Sequence, residues 1–412
     1  MKKTPLAALA AASLLALAGC SISGGDPAPS ESGAPADTSP IQVGVVLPQS
    51  GPYAILGAPQ TAALELEAEK VNAEGGIAGR QIELTFRDDA SDPTTSVQLY
   101  NELAETGDYD VMITSSRTAN SQATGPSAEQ YEIPTLALGP VNAFADGSNP
   151  WVFVIPATGA VNAEAQIQYF ADAGYDKIAL AYIDGDAYGQ DGQDSMAAFG
   201  PEYGVETVFS QGYDAATTDF APLIQNVLAS GANGFWVWGS GPTPSIITAQ
   251  WAATAADSGV QLFMTASQAS NLFSYKDGAP VEAANLVQLG SNIGVVGRQL
   301  PDSDLKTMID DFADRWAELG DPQYSYPPQF AFEAAKAIQV LKAGIESAGS
   351  TDSGTLRDAI EGLDILTYTG QTAYSASDHV GLTPDWISID TIEDGEFIAT
   401  QYALDKFAAL LE

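Results

Sequence analysis

The chain has 412 residues, 53 of them acidic and 15 basic, for a formal net charge of −38 at neutral pH. Such a balance repels nucleic acid and anionic lipid head groups, and the sequence holds no basic patch to offset it. A single cysteine excludes an internal disulfide and any cysteine-cluster metal site.

That cysteine stands in "LLALAGCSISGG", residues 14–25. Upstream, Lys2 and Lys3 precede an Ala/Leu run over residues 5–17, which is the pattern of a secretory signal peptide. The run is about a dozen residues, short of the ~20 needed to span a bilayer as a helix. Leu17-Ala18-Gly19-Cys20 resembles the lipobox of bacterial lipoproteins. The resemblance implies removal of residues 1–19 and a diacylglycerol on Cys20, with a third acyl chain often on its amine, which together satisfy the rule that stable anchoring takes more than one chain. A lipidated Cys20 leaves no thiol for catalysis. Residues 20–40, rich in Gly, Pro, Ser and Ala, read as a lipidated, disordered tether. Without Lys2 and Lys3 the net charge is about −40.

The remaining ~370 residues are enough for two domains. "IQVGVVLP" from residue 41 is a Val-rich run expected of a buried parallel strand. A helix is predicted over residues 59–72, with Leu64, Ala68 and Val71 on one face and Gly75-Gly76 as the stop. The alternation continues with strand "QIELTFRDD", helix 94–105, strand "DVMIT", helix 121–130 and strand "IPTLAL". After "NPWVFVIPA" the rhythm restarts: helix 161–173, "KIALAYI", helix 189–199, "ETVFSQ", helix 220–229, "GFWVW", helix 245–256, "QLFMT". Helices at 302–318, 329–347 and 355–362 follow, then strands "DWISIDTI" and "EFIATQY".

Two successive doubly wound units predict an α/β fold of two Rossmann-like lobes with a hinge, and a tail that returns to complete both. The expected lobes are 41–159 with 290–370, and 160–289 with 371–412. Ligands of open α/β sheets bind beyond the carboxyl ends of the strands, so an interlobe cleft is the expected site.

"NAEGGIAGRQIELTFRDDASDP", residues 72–93, resembles the conserved segment of branched-chain amino acid binding proteins, the Leu/Ile/Val-type receptors of ABC importers. "SGPYAILG", "DAYGQDG", "FAFEAAKAIQVLKAGIESAGSTDSGTLRDAIEGL" and "SDHVGLTPDWISIDTIEDGEFI" resemble further segments of that family in its order. The resemblance covers residues 41–400. It implies a type I periplasmic-binding-protein fold with three hinge crossovers and a monomeric, membrane-tethered extracytoplasmic receptor. Such a receptor binds a small organic solute and delivers it to an ABC permease, with no cofactor or metal. A sensor of the same fold, coupled to signalling instead of transport, is the alternative.

The resemblance also nominates site residues. In leucine-type members, a serine after the third strand and a threonine after the fourth help hold the ligand carboxylate. "TSSRTANSQ" offers Ser115, Ser116, Arg117 and Thr118, with the register open by one residue, and "LGPVN" offers Gly139, Val141 and Asn142. Where an acid typically meets the ligand ammonium, "FMTASQAS" has Ser267 and Gln268, so an α-amino acid ligand and small carboxylates, amides, urea or aromatic acids all stay open. Arg117, alone among basic residues between Arg87 and Lys177, is a candidate for bidentate carboxylate recognition against the alternative of a surface ion pair. Tyr53, Tyr188 and Trp238 follow strands 1, 6 and 8 as candidate cleft walls, Trp238 with core packing as its alternative. Asp184 and Asp186 stand nearby as possible cation partners.

No enzyme is expected. The sole histidine, His379, lies in "SASDHVGL"; no G-x-S-x-G stretch precedes a helix, and "GSGPTPS" lacks the third glycine of a dinucleotide loop. Pairs such as Asp88-Asp89 carry little information in so acidic a chain.

Overall fold

The computed structural model describes residues 38–270, 281–320 and 325–411. The leader, Cys20 and most of the tether lie outside the described residues.

The first lobe is built as β1 (Ile41–Leu47), α1 (Ala54–Ala73), β2 (Ile82–Asp88), α2 (Pro93–Ala104), β3 (Val111–Thr114), α3 (Thr118–Tyr131), β4 (Thr135–Ala137) and β5 (Val152–Val154). Its five strands are parallel in the order β2-β1-β3-β4-β5. Val43, Val45 and Leu47 of β1 are wholly buried, as a strand covered on both faces requires. Leu64, Ala68 and Val71 of α1 pack into the same core.

The chain then crosses to a second sheet: α4 (Gly159–Ala173), β6 (Lys177–Ile183), α5 (Ala187–Tyr203), β7 (Glu206–Tyr213), α6 (Ala221–Ala229), β8 (Gly234–Trp238), α7 (Thr243–Thr254), β9 (Gln261–Met264), α8 (Val281–Ala284) and β10 (Val287–Asn292). It returns to the first lobe for α9 (Asp304–Glu318), α10 (Gln329–Ala348), α11 (Ser353–Glu361) and the hairpin β11 (Asp364–Thr367) and β12 (Gly370–Ala373). It ends in the second with β13 (Ile387–Glu393), β14 (Glu396–Ala399) and α12 (Gln401–Leu411). The second sheet runs β14-β13-β10-β9-β8-β6-β7, parallel except for β13, which is antiparallel to both its neighbours, β10 and β14. Three crossings, after Val154, after Asn292 and between Ala373 and Ile387, join the two sheets.

Some elements depart from expectation. "EFIATQY" stops being strand at Ala399, because the Thr400 hydroxyl accepts the Ala403 amide at 3.3 Å and starts α12. β10, "VQLGSN", carries Gly, Ser and Asn, which weaken any strand signal, yet it pairs with β9 and β13 in the sheet interior. His379 is wholly buried, stacked on Phe153 at 4.4 Å with Nδ1 2.8 Å from the Val152 carbonyl, and so ties the third crossing to the first sheet. Among the described residues no helix is long and apolar enough to cross a membrane, and no group of three or more His, Cys, Asp or Glu could hold a metal ion.

Candidate functional site

Strand order reverses between β1 and β3 in one sheet and between β6 and β8 in the other. The loops leaving these four strands supply Tyr53, Arg117, Asp186 with Tyr188, and Ser240, and all five residues line one cavity. Ligand sites of open α/β sheets form at such switch points, and here two of them share a single space.

On the first lobe the run Asp88-Asp89-Ala90-Ser91 builds the support. Asp88 Oδ1 accepts the amides of Gln49, Ser50 and Ala90 at 2.9–3.0 Å. Partial burial opposes its charge, but the hydrogen bonds from Ser50, Ala90 and Gln49 prevail and hold the carboxyl below its usual range. Asp89 is buried and accepts from Ser91 N, Ser96 Oγ and Asn120 Nδ2 at 2.6–2.8 Å. Ala90 and Ser91 are held at φ 51° and 66°, which leaves Ser91 Oγ bridging the Ser50 carbonyl (2.8 Å) and the Tyr53 amide (3.1 Å). Gly51, at φ 82°, is required where it stands: a Cβ there would lie 2.5 Å from the Ala90 carbonyl oxygen.

The Ser91 carbonyl then accepts Arg117 Nη1 at 2.8 Å, with Asn120 Oδ1 at 3.3 Å. The guanidinium lies over the Tyr53 ring at 4.9 Å and reaches across to Asp186 Oδ2 at 3.4 Å. Its Nε is buried without a partner, as is Ser116 Oγ. A buried donor left unpaired costs about 1–3 kcal/mol, so both are places where an acceptor would be stabilised.

On the second lobe Asp186 is the N-cap of α5, its Oδ1 accepting the Tyr188 amide at 3.0 Å. Burial pushes the Tyr188 hydroxyl well above its usual range, and Thr265 and Ser267 offer it hydrogen bonds. Ser240 Oγ lies 3.5 Å from Tyr53 Oη, a second contact from lobe to lobe. The third wall comes from the crossings and from α10: Pro156, Ala157, Gln329, Phe330 and Glu333. Burial raises the Glu333 carboxyl to about 8 and lowers Lys336, one turn on, to about 7. Lys336 Nζ donates to the Ile155 carbonyl at 2.7 Å, at the first crossing.

Of the residues nominated from the sequence, Tyr53, Ser116, Arg117, Thr118, Tyr188 and Ser267 line the cavity. Others sit behind it. Ser115 Oγ accepts the Arg117 amide at 3.3 Å, and Asn142 Oδ1 accepts the Ala160 amide at 3.0 Å. Gly139 backs onto Ser121 and the Arg117 carbonyl. Val141 is buried in the first-lobe core. Trp238 is also wholly buried, its Nε1 donating to the Tyr188 carbonyl at 2.6 Å, so it positions that tyrosine from behind. Gln268 is buried, its Oε1 accepting from Ser267 and Thr265. Asp184 is exposed, while Asp186 faces Arg117. Glu333 escaped the sequence reading, although it is the one acid in "FAFEAAKAI" and falls on the helix face of Phe330, Ala334 and Ala337, a position that buries it.

The family described as "Periplasmic binding protein" matches residues 40–388. The "Leu/Ile/Val-binding protein homolog 1" of Brucella melitensis is 26% identical over 331 residues, covering 78% of this chain and 82% of that protein. The "Leucine-, isoleucine-, valine-, threonine-, and alanine-binding protein" of Pseudomonas aeruginosa is 24% identical over 348 residues, covering 82% and 86%. Among solved structures, an extracellular ligand-binding receptor from Rhodopseudomonas palustris superposes with a TM-score of 0.78 at 22% identity, over 89% of this chain and all of that one. A solute binding protein from R. palustris in complex with benzoate gives 0.72 at 20% identity, over 87% and 95%.

Proposed function

Because the chain belongs to the periplasmic binding protein family, whose members are binding proteins, we propose that it captures a small organic solute bearing a carboxylate, or an isosteric acceptor such as an amide, between its two lobes. The observation that carries this reading is Arg117. Its guanidinium sits at the meeting of both switch points with Nε unpartnered, and Ser116 Oγ beside it is equally unpartnered. Nε with one Nη makes the planar fork that fits a carboxylate. Tyr53, Tyr188, Leu56 and Phe330 supply apolar walls for the rest of the solute. Relatives named for branched-chain amino acids and a structural neighbour holding benzoate support a small carboxylate.

A solute that touches residues of both lobes favours the closed arrangement by its differential affinity for it. The closed form is then what an ABC permease recognises. The lipobox at Cys20 tethers the receptor to the outer face of the cell membrane as a monomeric lipoprotein. A thermal-shift screen of amino acids, aliphatic and aromatic carboxylates and amides tests the reading: a binder at about 100 times its Kd adds about 2.7 kcal/mol to stability. Silence across all of these classes overturns it.

A further inference from the structure

A second cavity, sharing no lining residue with the cleft, lies where three segments meet. They are the second crossing at Ile293–Gln299, residues 325–328 ahead of α10, and the β13–β14 hairpin at residues 395–398. The cavity measures about 180 Å³, on the scale of those that hold a benzene ring. Its walls come from both lobes, so its shape is tied to the angle between them.

Two side chains fix these walls. Gln299 lies along the free edge of β14 in the manner of an added strand residue, Nε2 donating to the Phe397 carbonyl and Oε1 accepting the Ala399 amide, both at 2.9 Å. Tyr326 Oη donates to the Gly294 carbonyl at 2.8 Å, and burial pushes that hydroxyl well above its usual range, so it stays a neutral donor. Val295, Tyr326, Pro328, Phe397 and Ile398 leave the lining largely apolar.

The charged group on this lining is Arg298, whose guanidinium lies over the Tyr326 ring at 4.6 Å. Of the six arginines in this acidic chain, Arg80, Arg117, Arg315 and Arg357 each hold a carboxylate, and Arg87 donates to the Phe86 carbonyl. Among the described residues Arg298 alone has neither, although Glu396 stands on the exposed rim of the same cavity. Lys306 donates to the Arg298 carbonyl at 3.2 Å and is itself paired with Asp310 at 3.0 Å. A guanidinium whose face rests on an aromatic ring keeps its edge N–H groups for an acceptor in its own plane, and the stacking reduces the freedom lost when that acceptor arrives.

We propose that this hinge cavity is a second solute site, separate from the cleft, for a compact carboxylate with an apolar body the size of a benzene ring: the carboxylate on the edge of Arg298, the body against Phe397, Pro328 and Ile398. Polar recognition of this kind, one charged anchor in an otherwise apolar hollow, is what small-molecule sites use.

The test uses 4-fluorobenzoate and its neutral counterpart 4-fluorobenzamide, titrated with fluorine NMR detection into Arg117→Ala, which disables the cleft anchor, and into Arg117→Ala/Arg298→Ala. The benzoate should bind Arg117→Ala at a single site at least tenfold tighter than the benzamide. Adding Arg298→Ala should weaken the benzoate at least tenfold and leave the benzamide within about twofold. Arg298→Gln, which keeps the stem over Tyr326 without the charge, takes its place if the alanine variant does not fold, and should give the same loss. Benzoate binding that survives either Arg298 substitution overturns the proposal, as does the lack of any benzoate binding to Arg117→Ala. Neither result touches the reading of the cleft, which is decided by comparing wild type with Arg117→Ala.

Discussion

Asp191 gives a stability prediction whose size can be worked from the structure. Its side chain lies on α5 against the start of α4, where a Cβ on Gly159 would come within 3.0 Å of the aspartate Cβ. Asn142 of the first lobe hydrogen-bonds to it, but Oδ2 is buried without a partner. Burial, assisted by the charges of Asp194 and Asp186, raises the carboxyl from 3.8 to about 7 against the opposing Asn142 bond. Between about pH 4 and pH 7 the folded protein therefore holds a proton that the unfolded chain has lost, and stability attributable to this group falls as pH rises through that window. Three pKa units at about 1.4 kcal/mol each set a ceiling of about 4 kcal/mol above pH 7. Asp191→Asn keeps the shape and the Asn142 contact while abolishing the titration. Urea unfolding at pH 4 and pH 8 should show the variants nearly equal in acid and the asparagine variant more stable, by about 2–4 kcal/mol, at pH 8. A difference that is independent of pH, or one that grows on acidification, refutes the reasoning.

Three further outcomes follow from particular contacts. Arg117→Ala should weaken solute binding at least a hundredfold in calorimetry, while the empty protein loses only about 1–2 kcal/mol, the combined scale of a partly exposed ion pair and a cation–π contact. Tyr368→Phe removes a buried hydroxyl that donates to Glu67 at 3.0 Å beside Arg315; it should cost about 1–3 kcal/mol on thermal unfolding and leave solute affinity unchanged, since the group lies away from the cleft. Cys20→Ser, expressed with its own leader in a lipoprotein-processing bacterium, should move the protein from the membrane fraction to the soluble extracytoplasmic fraction. Retention on the membrane would contradict the lipid anchor.

Most of the strands and helices were legible because parallel strands buried on both faces read as continuous Val/Ile/Leu runs and their helices show a 3.6-residue apolar period. β10 and the β11–β12 hairpin were not, since β10 carries Gln, Gly, Ser and Asn and the hairpin Asp, Gly and Gln, whose place is settled by neighbouring strands and not by their own propensity. The cleft divided along the same line. Tyr53, Arg117 and Tyr188 follow strand ends directly, so locating the strands located them. Val141 follows a strand end and Trp238 is the last residue of β8 itself, but their side chains turn into the core, and alternation alone could not distinguish the two outcomes. Glu333 lies some 280 residues from Tyr53 in sequence and enters the cavity only because α10 returns to the first lobe beside the crossings. The Asp88–Ser91 run served in the sequence as a mark of family resemblance. In the structure it is the brace that sets both Tyr53 and Arg117.

The central claim is that a solute held at Arg117 draws the two sheets together. Small-angle X-ray scattering on wild type and Arg117→Ala, with and without a solute that calorimetry shows to saturate wild type, tests it most directly. The radius of gyration of wild type should fall on saturation, and that of the variant should not change at the same solute concentration. A wild-type profile that stays the same while the solute is bound contradicts the account.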